Sequence, residues 1–476
     1  MFTPTTTIAD GSATTTPYPL RAPSKMRALL LHTSTHTTPP SQPSQPSHTA
    51  ILSHTTPTPT PRLPTDLLIR VEHVALNPVD ALYTFHPLGE AGRVVGSDFE
   101  GVVVQIGPPA LSPLPEEAPS SPVGLQSSSS SSSPPPPPVG PPQSSSSSGP
   151  SQSQPTTGAG KIDINVGDRV AGFVQGACSA NPRPGAFAEY VVCPADLVWR
   201  VPEGTMKKHG QAAAVSLCAL TAAQALFWRL GLRAPFAFEG RGGYREGGSG
   251  DGEETLRFFV YGASTSVGLY AAQLLRRSCE ASGKKLLLVG AASRGRWELL
   301  RAPPYGYDGL VDYRDPDWPE QVRRLTGGAG ADAAYDCISE GDTVKRVAGT
   351  LNANGRMAIV RSREGGAWAA AEGELPMEPI YGAVWEGLGV EIQYQGFTVP
   401  ASEAARRFAV AFYGWLSAGG RLEANPIRLM PGGLDRVVED GFALLGSGTM
   451  DARHRERREE WMRPISAEKL VYQVRG

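Results

Sequence analysis

The chain has 476 residues, with 40% hydrophobic and 19% charged side chains, proportions that are ordinary for a globular protein of two or three domains. Its formal net charge of -2 disfavours a general nucleic-acid-binding role, which needs a basic excess or a basic stripe. Five cysteines without a CxxC pair favour neither a disulfide framework nor a cysteine zinc site and fit a reducing compartment. No apolar run approaches the length of a transmembrane helix. We therefore expect a cytoplasmic protein whose partners are small molecules or other proteins, not nucleic acid or a membrane.

Four segments are too rich in Ser, Thr, Pro or Gly to build a packed core, because they offer little apolar area against the entropy of ordering them. We expect a disordered tail over residues 1–25, low-complexity insertions at 33–61 and 108–160, and a flexible insertion at 239–254. Composition of this kind implies no activity of its own.

The remaining chain divides into three parts. Residues 26–204 contain β-type runs such as "MRALLL", "LLIRVEHVAL" and "AEYVVCP" between Gly, Asp and Pro positions, which predicts a β-rich domain. Residues 205–424 alternate strand and helix patterns, from "LRFFVYGA" through "KKLLLVGAAS" to "VEIQYQGF", which predicts an α/β domain with a parallel sheet covered on both faces. Residues 425–476 have a strand, helix and strand pattern, and the last strand, "EKLVYQV", could rejoin the first domain.

The stretch "VYGASTSVG" (260–268) has most features of a dinucleotide-binding loop, which needs a tight turn, close backbone approach and a helix N-terminus. Gly262 supplies the turn, and Gly268 permits close packing of helix on strand. Thr265 stands where a second glycine is expected, and the hydroxyls of Ser264, Thr265 and Ser266 can donate to phosphate oxygens. The loop by itself is equally compatible with an ordinary strand-to-helix turn.

The residues at the end of the next strand indicate which cofactor, NAD or NADP, the sequence favours. An NAD site usually has Asp or Glu there for the ribose hydroxyls, whereas this strand ends "VGAASRGRW", with Ser293, Arg294 and Arg296 and no acid. Arginine matches phosphate geometry, so this end favours the 2′-phosphate of NADP. Arginines in such a turn are by themselves more often surface charge, but their separation from the preceding loop favours the cofactor interpretation.

Several motifs occur in a characteristic order: "VALNPVDAL" (74–82), "VVGSDFEGVVVQIG" (94–107), "VGDRVAGF" (166–173), "GAFAEYVVCPADLVWRVP" (185–202), "LTAAQALF" (220–227), "NPIRLMPGGLD" (425–435) and "SAEKLVYQV" (466–474). In this order they resemble the medium-chain dehydrogenase/reductase superfamily, specifically its zinc-free quinone reductase and enoyl reductase branch, and within it fungal trans-acting polyketide enoyl reductases. The resemblance implies a GroES-like β-rich catalytic domain, a Rossmann domain with a doubly wound parallel sheet, and an active site in the cleft between them.

The resemblance also implies roles for individual residues. Four residues of the loop would bind the cofactor diphosphate, and the turn from Ser293 to Arg296 would recognise the 2′-phosphate of NADPH. Tyr313 would flank the adenosine phosphate, and Ile465 and Ser466 would close over the cofactor. Thr221 would lie at the nicotinamide or substrate end. The diphosphate-binding residues implied in this way are Ser264, Thr265, Ser266 and Val267.

The superfamily's catalytic zinc ligands correspond here to Asn77 and Ser97, which are not credible zinc ligands, so we predict no metal. Polyketide enoyl reductases carry a lysine where this chain has Leu82, which leaves the catalytic donors to be found. Tyr83 is a candidate proton donor or oxyanion partner, although it could equally pack in the β-rich domain. Asn77 could bind the substrate carbonyl or the nicotinamide, or stabilise the turn before Pro78.

These patterns predict a zinc-independent, NADPH-dependent oxidoreductase that reduces an activated C=C bond in an enoyl thioester or enone. The substrate is either a small molecule or carrier-bound, and the resemblance implies a polyketide synthase as a partner protein. One alternative is an NADPH quinone reductase. Another is a non-catalytic NADPH-binding or scaffold protein. We expect a monomer or a homodimer.

Overall fold

The computed structural model describes residues 22–35, 46–109, 164–238 and 254–475, apart from 372, 395, 451–452 and 454–456. The predicted insertions at 108–160 and 239–254, apart from residues 108, 109 and 254, and most of the predicted tail lie outside the described residues.

The N-terminal part forms a β-rich domain, as its alternating pattern predicts. Its elements are β1 (Lys25–Thr35), β2 (Pro46–Pro57), β3 (Asp66–Ala75), α1 (Pro78–Phe85), β4 (Asp98–Ile106), β5 (Arg169–Phe173), β6 (Tyr190–Pro194) and β7 (Val198–Arg200). β3 pairs antiparallel with both β4 and β6, and β4 continues to β5 and β7. Most side chains of β3 are buried, as expected for a strand that has neighbours on both edges.

The prediction of a low-complexity insertion over 33–61 is wrong for its second half. β2 pairs antiparallel with β1 from Lys25 opposite Pro57 to Thr35 opposite Pro46. The short apolar run around Ala50 explains this, because Ala50 is 6% exposed and Leu52 packs against the core. A polar composition therefore did not prevent pairing once a complete partner strand was present.

The next part forms the parallel sheet and its helices. The elements are α2 (Ser216–Ala223), β8 (Thr255–Tyr261), α3 (Ser266–Ser282), β9 (Lys285–Ala291), α4 (Trp297–Arg301), β10 (Gly309–Val311), α5 (Trp318–Leu325), β11 (Ala331–Asp336), α6 (Thr343–Ala348), β12 (Leu351–Ile359) and β13 (Ile380–Tyr381). The strand order is β10-β9-β8-β11-β12-β13, and every neighbouring pair is parallel. This is the order of a dinucleotide-binding sheet, whose strand order reverses between β8 and β11.

The last elements are β14 (Ile392–Gln393), β15 (Thr398–Val399), α7 (Glu403–Ser417), β16 (Ile427–Met430), α8 (Ala443–Leu445) and β17 (Lys469–Gln473). The prediction that "VEIQYQGF" continues the parallel series is wrong. Its strand β14 pairs antiparallel with β15, and β13 takes the sixth position in the parallel sheet. β17 pairs with β3, so the C-terminal strand returns to the first domain as the sequence suggested.

The carboxylate of Glu100 on β4 stabilises the start of the helical run that joins the two sheets. Glu100 accepts hydrogen bonds from the backbone N–H groups of Gly210, Ala212 and Ala213 at 2.8, 2.8 and 3.1 Å, which would otherwise lack partners at a helix start. Burial alone would raise the pKa of Glu100, but the bond from His73 and the charge of Arg169 lower it. The carboxylate therefore stays ionised.

The same run, Ala212–Arg229, is long and apolar enough by composition to cross a membrane, but 83% of it is buried inside the fold. A core helix of a globular domain has this character.

Candidate cofactor and substrate cleft

The loop after β8 has the backbone geometry that a dinucleotide requires. Gly262 has a φ of +74°, and a Cβ placed there would lie 3.0 Å from Ile338 Cγ1. A Cβ on Gly268 would lie 2.4 Å from the Gly262 carbonyl oxygen, so only glycine lets α3 approach the strand this closely. Both glycines therefore do what the sequence predicts.

Thr265 caps the helix that follows the loop, and its predicted contact with a phosphate stays a prediction. Its hydroxyl donates to the Gly262 carbonyl at 2.8 Å and accepts from the Gly268 N–H at 3.0 Å, which makes it the N-cap of α3. The hydroxyl proton is thus used within the loop. Ser264, Ser266 and Val267 are partly exposed beside the first helical turn, whose N–H groups have no carbonyl partner in the helix and suit an anion.

The turn after β9 brings together residues that the sequence assigned separately. Arg296 Nε donates to Ser466 Oγ at 2.6 Å although 170 positions separate them in the chain. Ser293 precedes the turn of 3₁₀ helix that carries Arg294 and Arg296. The predicted 2′-phosphate residues and the predicted C-terminal closing residue therefore share one surface, and Ile465 packs against the core beneath it.

Arg294 is 67% exposed and pairs with Asp315 at 3.1 Å and Asp312 at 3.6 Å. Tyr313 is 41% exposed, and the Arg314 guanidinium lies over its ring at 4.6 Å. Asp312 and Arg314 flank Tyr313 in the same turn, but the sequence assigned a role only to the tyrosine.

Asn425 is a further residue at the cofactor helix that sequence reasoning missed. Its side-chain amide donates to the Ser266 carbonyl at 3.1 Å, and its backbone N–H donates to the Tyr270 hydroxyl at 3.2 Å. Its Oδ1 is buried and has no hydrogen-bond partner among the residues that the structure describes. A cofactor bound along this helix could supply the missing donor, so the orphaned acceptor fits a dinucleotide.

Asn77, for which the sequence predicts a contact with the substrate carbonyl or the nicotinamide, is held in a network of buried side chains. Asn77 is 2% exposed, its amide donates to Asp98 at 3.0 Å, and its Oδ1 accepts from Lys469 Nζ at 3.0 Å. The Cys218 thiol also approaches Oδ1, at 3.4 Å. Donor and acceptor of the Asn77 amide are thus both engaged within this network, and its contact with substrate or nicotinamide stays a prediction.

Lys469 is the centre of that network. Its ammonium contacts Asp98 Oδ2 at 2.5 Å and Cys218 Sγ at 3.5 Å, and it is 3% exposed. Burial alone would lower the pKa of Lys469, but the Asp98 charge and Cys218 raise it above its usual value. A permanent cation therefore lies between the motifs that correspond to the zinc-binding motifs of related enzymes.

Ser97, the second position considered for zinc, donates its hydroxyl to Asp80 Oδ1 at 2.6 Å. Burial raises the pKa of Asp80 to about 7, despite hydrogen bonds from Ser97 and the Asn77 backbone that lower it. Among the described residues no group of three or more His, Cys, Asp or Glu is arranged to hold a metal ion. An amide, a hydroxyl and an ammonium are a poor donor set for zinc, so the residues do not fit this metal.

The other two predicted catalytic residues lie on α2 and α1. The Thr221 hydroxyl donates to the Leu217 carbonyl at 2.7 Å, as helical threonines commonly do, and keeps acceptor capacity. Tyr83 is half-buried, and burial, with Cys178 and Tyr381 nearby, raises its phenol pKa. Their contacts with cofactor and substrate stay predictions.

The carboxyl edge of the parallel sheet is continuous beyond the cofactor loop. Ile338 lies against Gly262, and Ser339 accepts from the Val360 N–H at 3.1 Å, which joins the ends of β8, β11 and β12. Arg361 follows directly, and its guanidinium donates to the Gly448 carbonyl at 3.0 Å. Ligands of such sheets bind along this edge at the point where strand order reverses.

The fold and this cleft resemble those of oxidoreductases of the medium-chain dehydrogenase/reductase type, in which a β-rich domain and a dinucleotide-binding domain enclose the site. The chain is similar to curated trans-enoyl reductases over most of its length. It is 28% identical over 392 residues to trans-enoyl reductase traG of Penicillium crustosum, covering 81% of this chain and 87% of that protein. It is 29% identical over 427 residues to trans-enoyl reductase caaB of Aspergillus niger, covering 87% and 92%.

Solved structures agree on the fold. Mycobacterial Rv1454c complexed with NADPH has 17% identity and a TM-score of 0.54, covering 89% of this chain and 95% of that one. The CurK enoyl reductase has 16% identity and a TM-score of 0.51, covering 89% and 95%. The predicted fold class and the resemblance to fungal trans-acting enoyl reductases are confirmed.

A family model described as zinc-binding dehydrogenase matches residues 266–380. This range lies in the parallel-sheet domain and contains neither Asn77 nor Ser97. The match therefore supports the dinucleotide-binding domain and does not bear on zinc.

Proposed function

We propose that the chain is an NADPH-dependent reductase of an activated C=C bond in an enoyl thioester or enone. The observation that carries the proposal is the carboxyl edge of the parallel sheet, where the cofactor loop with Gly262 is continuous through Ile338 and Ser339 with the guanidinium of Arg361. The names of the relatives, trans-enoyl reductases that match more than four fifths of the chain, support the same reaction.

The cofactor would be held by the loop after β8 and by the turn after β9. When bound there, NADPH supplies the hydride that adds to the β-carbon of the conjugated double bond, and is oxidised to NADP⁺. A preference for NADPH over NADH is supported by Arg294, Arg296 and Arg314 near the ends of β9 and β10, because guanidinium groups bind phosphate strongly. Arg294 also pairs with Asp312 and Asp315, and a phosphate would compete with those carboxylates.

Residues of the chain itself would stabilise the negative charge that develops on the substrate and supply its proton. Negative charge develops on the substrate carbonyl oxygen as the double bond is reduced, and fixed donors in a water-poor cleft stabilise it. Tyr83 keeps its proton at neutral pH, since burial raises its pKa. It can therefore donate a hydrogen bond to that oxygen, and it is the candidate source of the proton that completes the reduction at the α-carbon.

A polyketide synthase is the proposed partner protein, on the support of the word "trans" in the names of the relatives. We also propose a cytoplasmic location, which suits five unpaired, buried cysteines.

The test is turnover by the purified full chain. NADPH binding, followed by its fluorescence, should be accompanied by NADPH oxidation with an enoyl pantetheine thioester or an enone. Binding without turnover on enoyl thioesters, enones and quinones would leave a non-catalytic NADPH-binding protein, and turnover confined to quinones would make it a quinone reductase. Without NADPH binding, the proposal fails altogether.

The cofactor preference has its own test. The double variant Arg294→Ala/Arg296→Ala should lose at least about tenfold of its NADPH affinity, because it removes charge-assisted hydrogen bonds, while NADH affinity changes little. Arg277→Ala is the matched control, since Arg277 pairs with Glu280 on the outer part of α3. If both variants bind NADPH like the wild type, the preference is not set by these arginines.

A further inference from the structure

Arg361 lies at the far end of the sheet edge from the arginines assigned to the 2′-phosphate. It follows β12, and the bond from the Val360 N–H to Ser339 joins that strand end to β11. Ile338, one residue before Ser339, lies against Gly262 of the cofactor loop. A dinucleotide that starts at the β9 end and crosses the switch point between β8 and β11 would run towards the ends of β11 and β12, where Arg361 lies.

The guanidinium of Arg361 faces the catalytic domain. It donates to the Gly448 carbonyl at 3.0 Å, and a Cβ placed on Gly448 would lie 3.3 Å from Leu82 Cδ1. Leu82 and Tyr83 are both on α1. The Arg361 guanidinium, which belongs to the dinucleotide-binding domain, therefore lies close to α1 of the β-rich domain.

Two phenols share the neighbourhood of this guanidinium. Burial raises the pKa of Tyr83, and it raises the pKa of Tyr381 to about 12. The charge of Arg361 lowers both pKa values in part, so the guanidinium lies near both phenols. Tyr381 is on β13, paired with the last residue of β12. Arg361 itself is only 25% exposed.

Arg361 also has donor capacity to spare. One terminal nitrogen pairs with Glu340 at 2.6 Å and the other bonds to Gly448, whereas a guanidinium carries five N–H donors. We propose that Arg361 is the substrate-binding cation of the cleft and donates to the carbonyl oxygen of the enoyl thioester or enone. This inference rests on the proposed function and assigns the donor that the sequence left open at Leu82.

The test compares five variants of the full chain with an enoyl pantetheine thioester. Arg361→Met should lower kcat by about 100-fold, the usual effect of losing one oxyanion donor, with NADPH affinity within about twofold of wild type. Arg361→Lys should lose less, about tenfold, because a point charge replaces a planar fork. If Arg361→Met does not fold, Arg361→Lys carries the test.

Two matched variants separate substrate binding from a structural role. Glu340→Gln removes the ion pair but keeps Arg361, and Arg363→Ala removes a neighbouring surface arginine that pairs with Glu378. Both should keep kcat within about threefold, since neither removes a donor to the carbonyl oxygen. Adding Leu82→Lys to Arg361→Met should raise kcat about tenfold above that of Arg361→Met, because it returns a cation to the same place. If Arg361→Met lost activity only through poorer packing, the added lysine would not restore kcat.

The inference is overturned if Arg361→Met keeps kcat close to wild type, or if Glu340→Gln loses as much as Arg361→Met, while the wild type is active. A wild type that binds NADPH but reduces no enoyl thioester or enone instead refutes the proposed function, and the inference falls with it.

Discussion

Lys469 carries a positive charge in a fully buried site, and it does so between residues that come from three separate parts of the chain. Its partners Asn77, Asp98 and Cys218 lie 392, 371 and 251 positions away. No local pattern could have predicted this network. The available signal was a lysine at the start of an otherwise apolar strand, "KLVYQ", a position where a charge is rare unless it is paired.

Removing this cation should be costly. Lys469→Met leaves Asp98 buried without its counter-charge, so we expect the free energy of unfolding to fall by about 3 to 5 kcal/mol. Adding Asp98→Asn should restore part of the loss, because the remaining amide is neutral. Urea denaturation of the single and double variants measures both effects. Additive losses would show that the two side chains do not depend on each other.

Asp80 should make stability depend on pH. Its pKa is raised from 3.8 to about 7 in the folded chain, so the folded state holds the proton more strongly than the unfolded state. Its contribution is fully present below pH 3.8 and is lost as pH rises through about 7, a change of up to about 4 kcal/mol. Asp98 and Lys469, the charged groups nearest to it, act in opposite directions on this pKa.

Asp80→Asn imitates the protonated carboxyl and should remove this dependence. Relative to the wild type, the variant should gain stability steadily between pH 4 and pH 7.5, as measured by denaturant unfolding at each pH. Two unfolding curves that stay parallel over this range would mean that Asp80 does not titrate in it.

At the scale of elements, the cofactor loop was predicted better than its central residue. The glycine positions, the following helix and its packing on the strand all agree with the pattern "YGASTSVG". The N-cap role of Thr265 was not predicted, because a hydroxyl can bond either to a ligand or to its own helix start. β2 was missed because its polar composition concealed a short apolar run, and β14 was misplaced because two residues of strand do not specify a sheet.

Thr265→Val tests whether this hydroxyl caps the helix or binds the cofactor. We expect the free energy of unfolding to drop by about 1 kcal/mol, the usual value of an N-cap, with little change in the Kd for NADPH. Thr265→Ser is the control that retains the hydroxyl. A large rise in Kd with unchanged stability would restore the phosphate role.

At the scale of the whole molecule, the order of the motifs was sufficient to predict a β-rich domain, a Rossmann domain and a C-terminal strand that returns to the first sheet. The substrate end could not be predicted in the same way. Arg361 and Tyr381, which we propose to lie at that end, belong to strands or strand ends that follow the switch point, and only the completed sheet brings them near α1.

The central claim is that hydride passes from NADPH to a conjugated double bond in this cleft. The direct measurement uses NADPH deuterated on the transferable position, an enoyl pantetheine thioester and the full chain, with mass spectrometry of the product. We predict a saturated thioester that carries one deuterium on the β-carbon. An unchanged thioester, or a reduced product without deuterium on that carbon, would contradict the account.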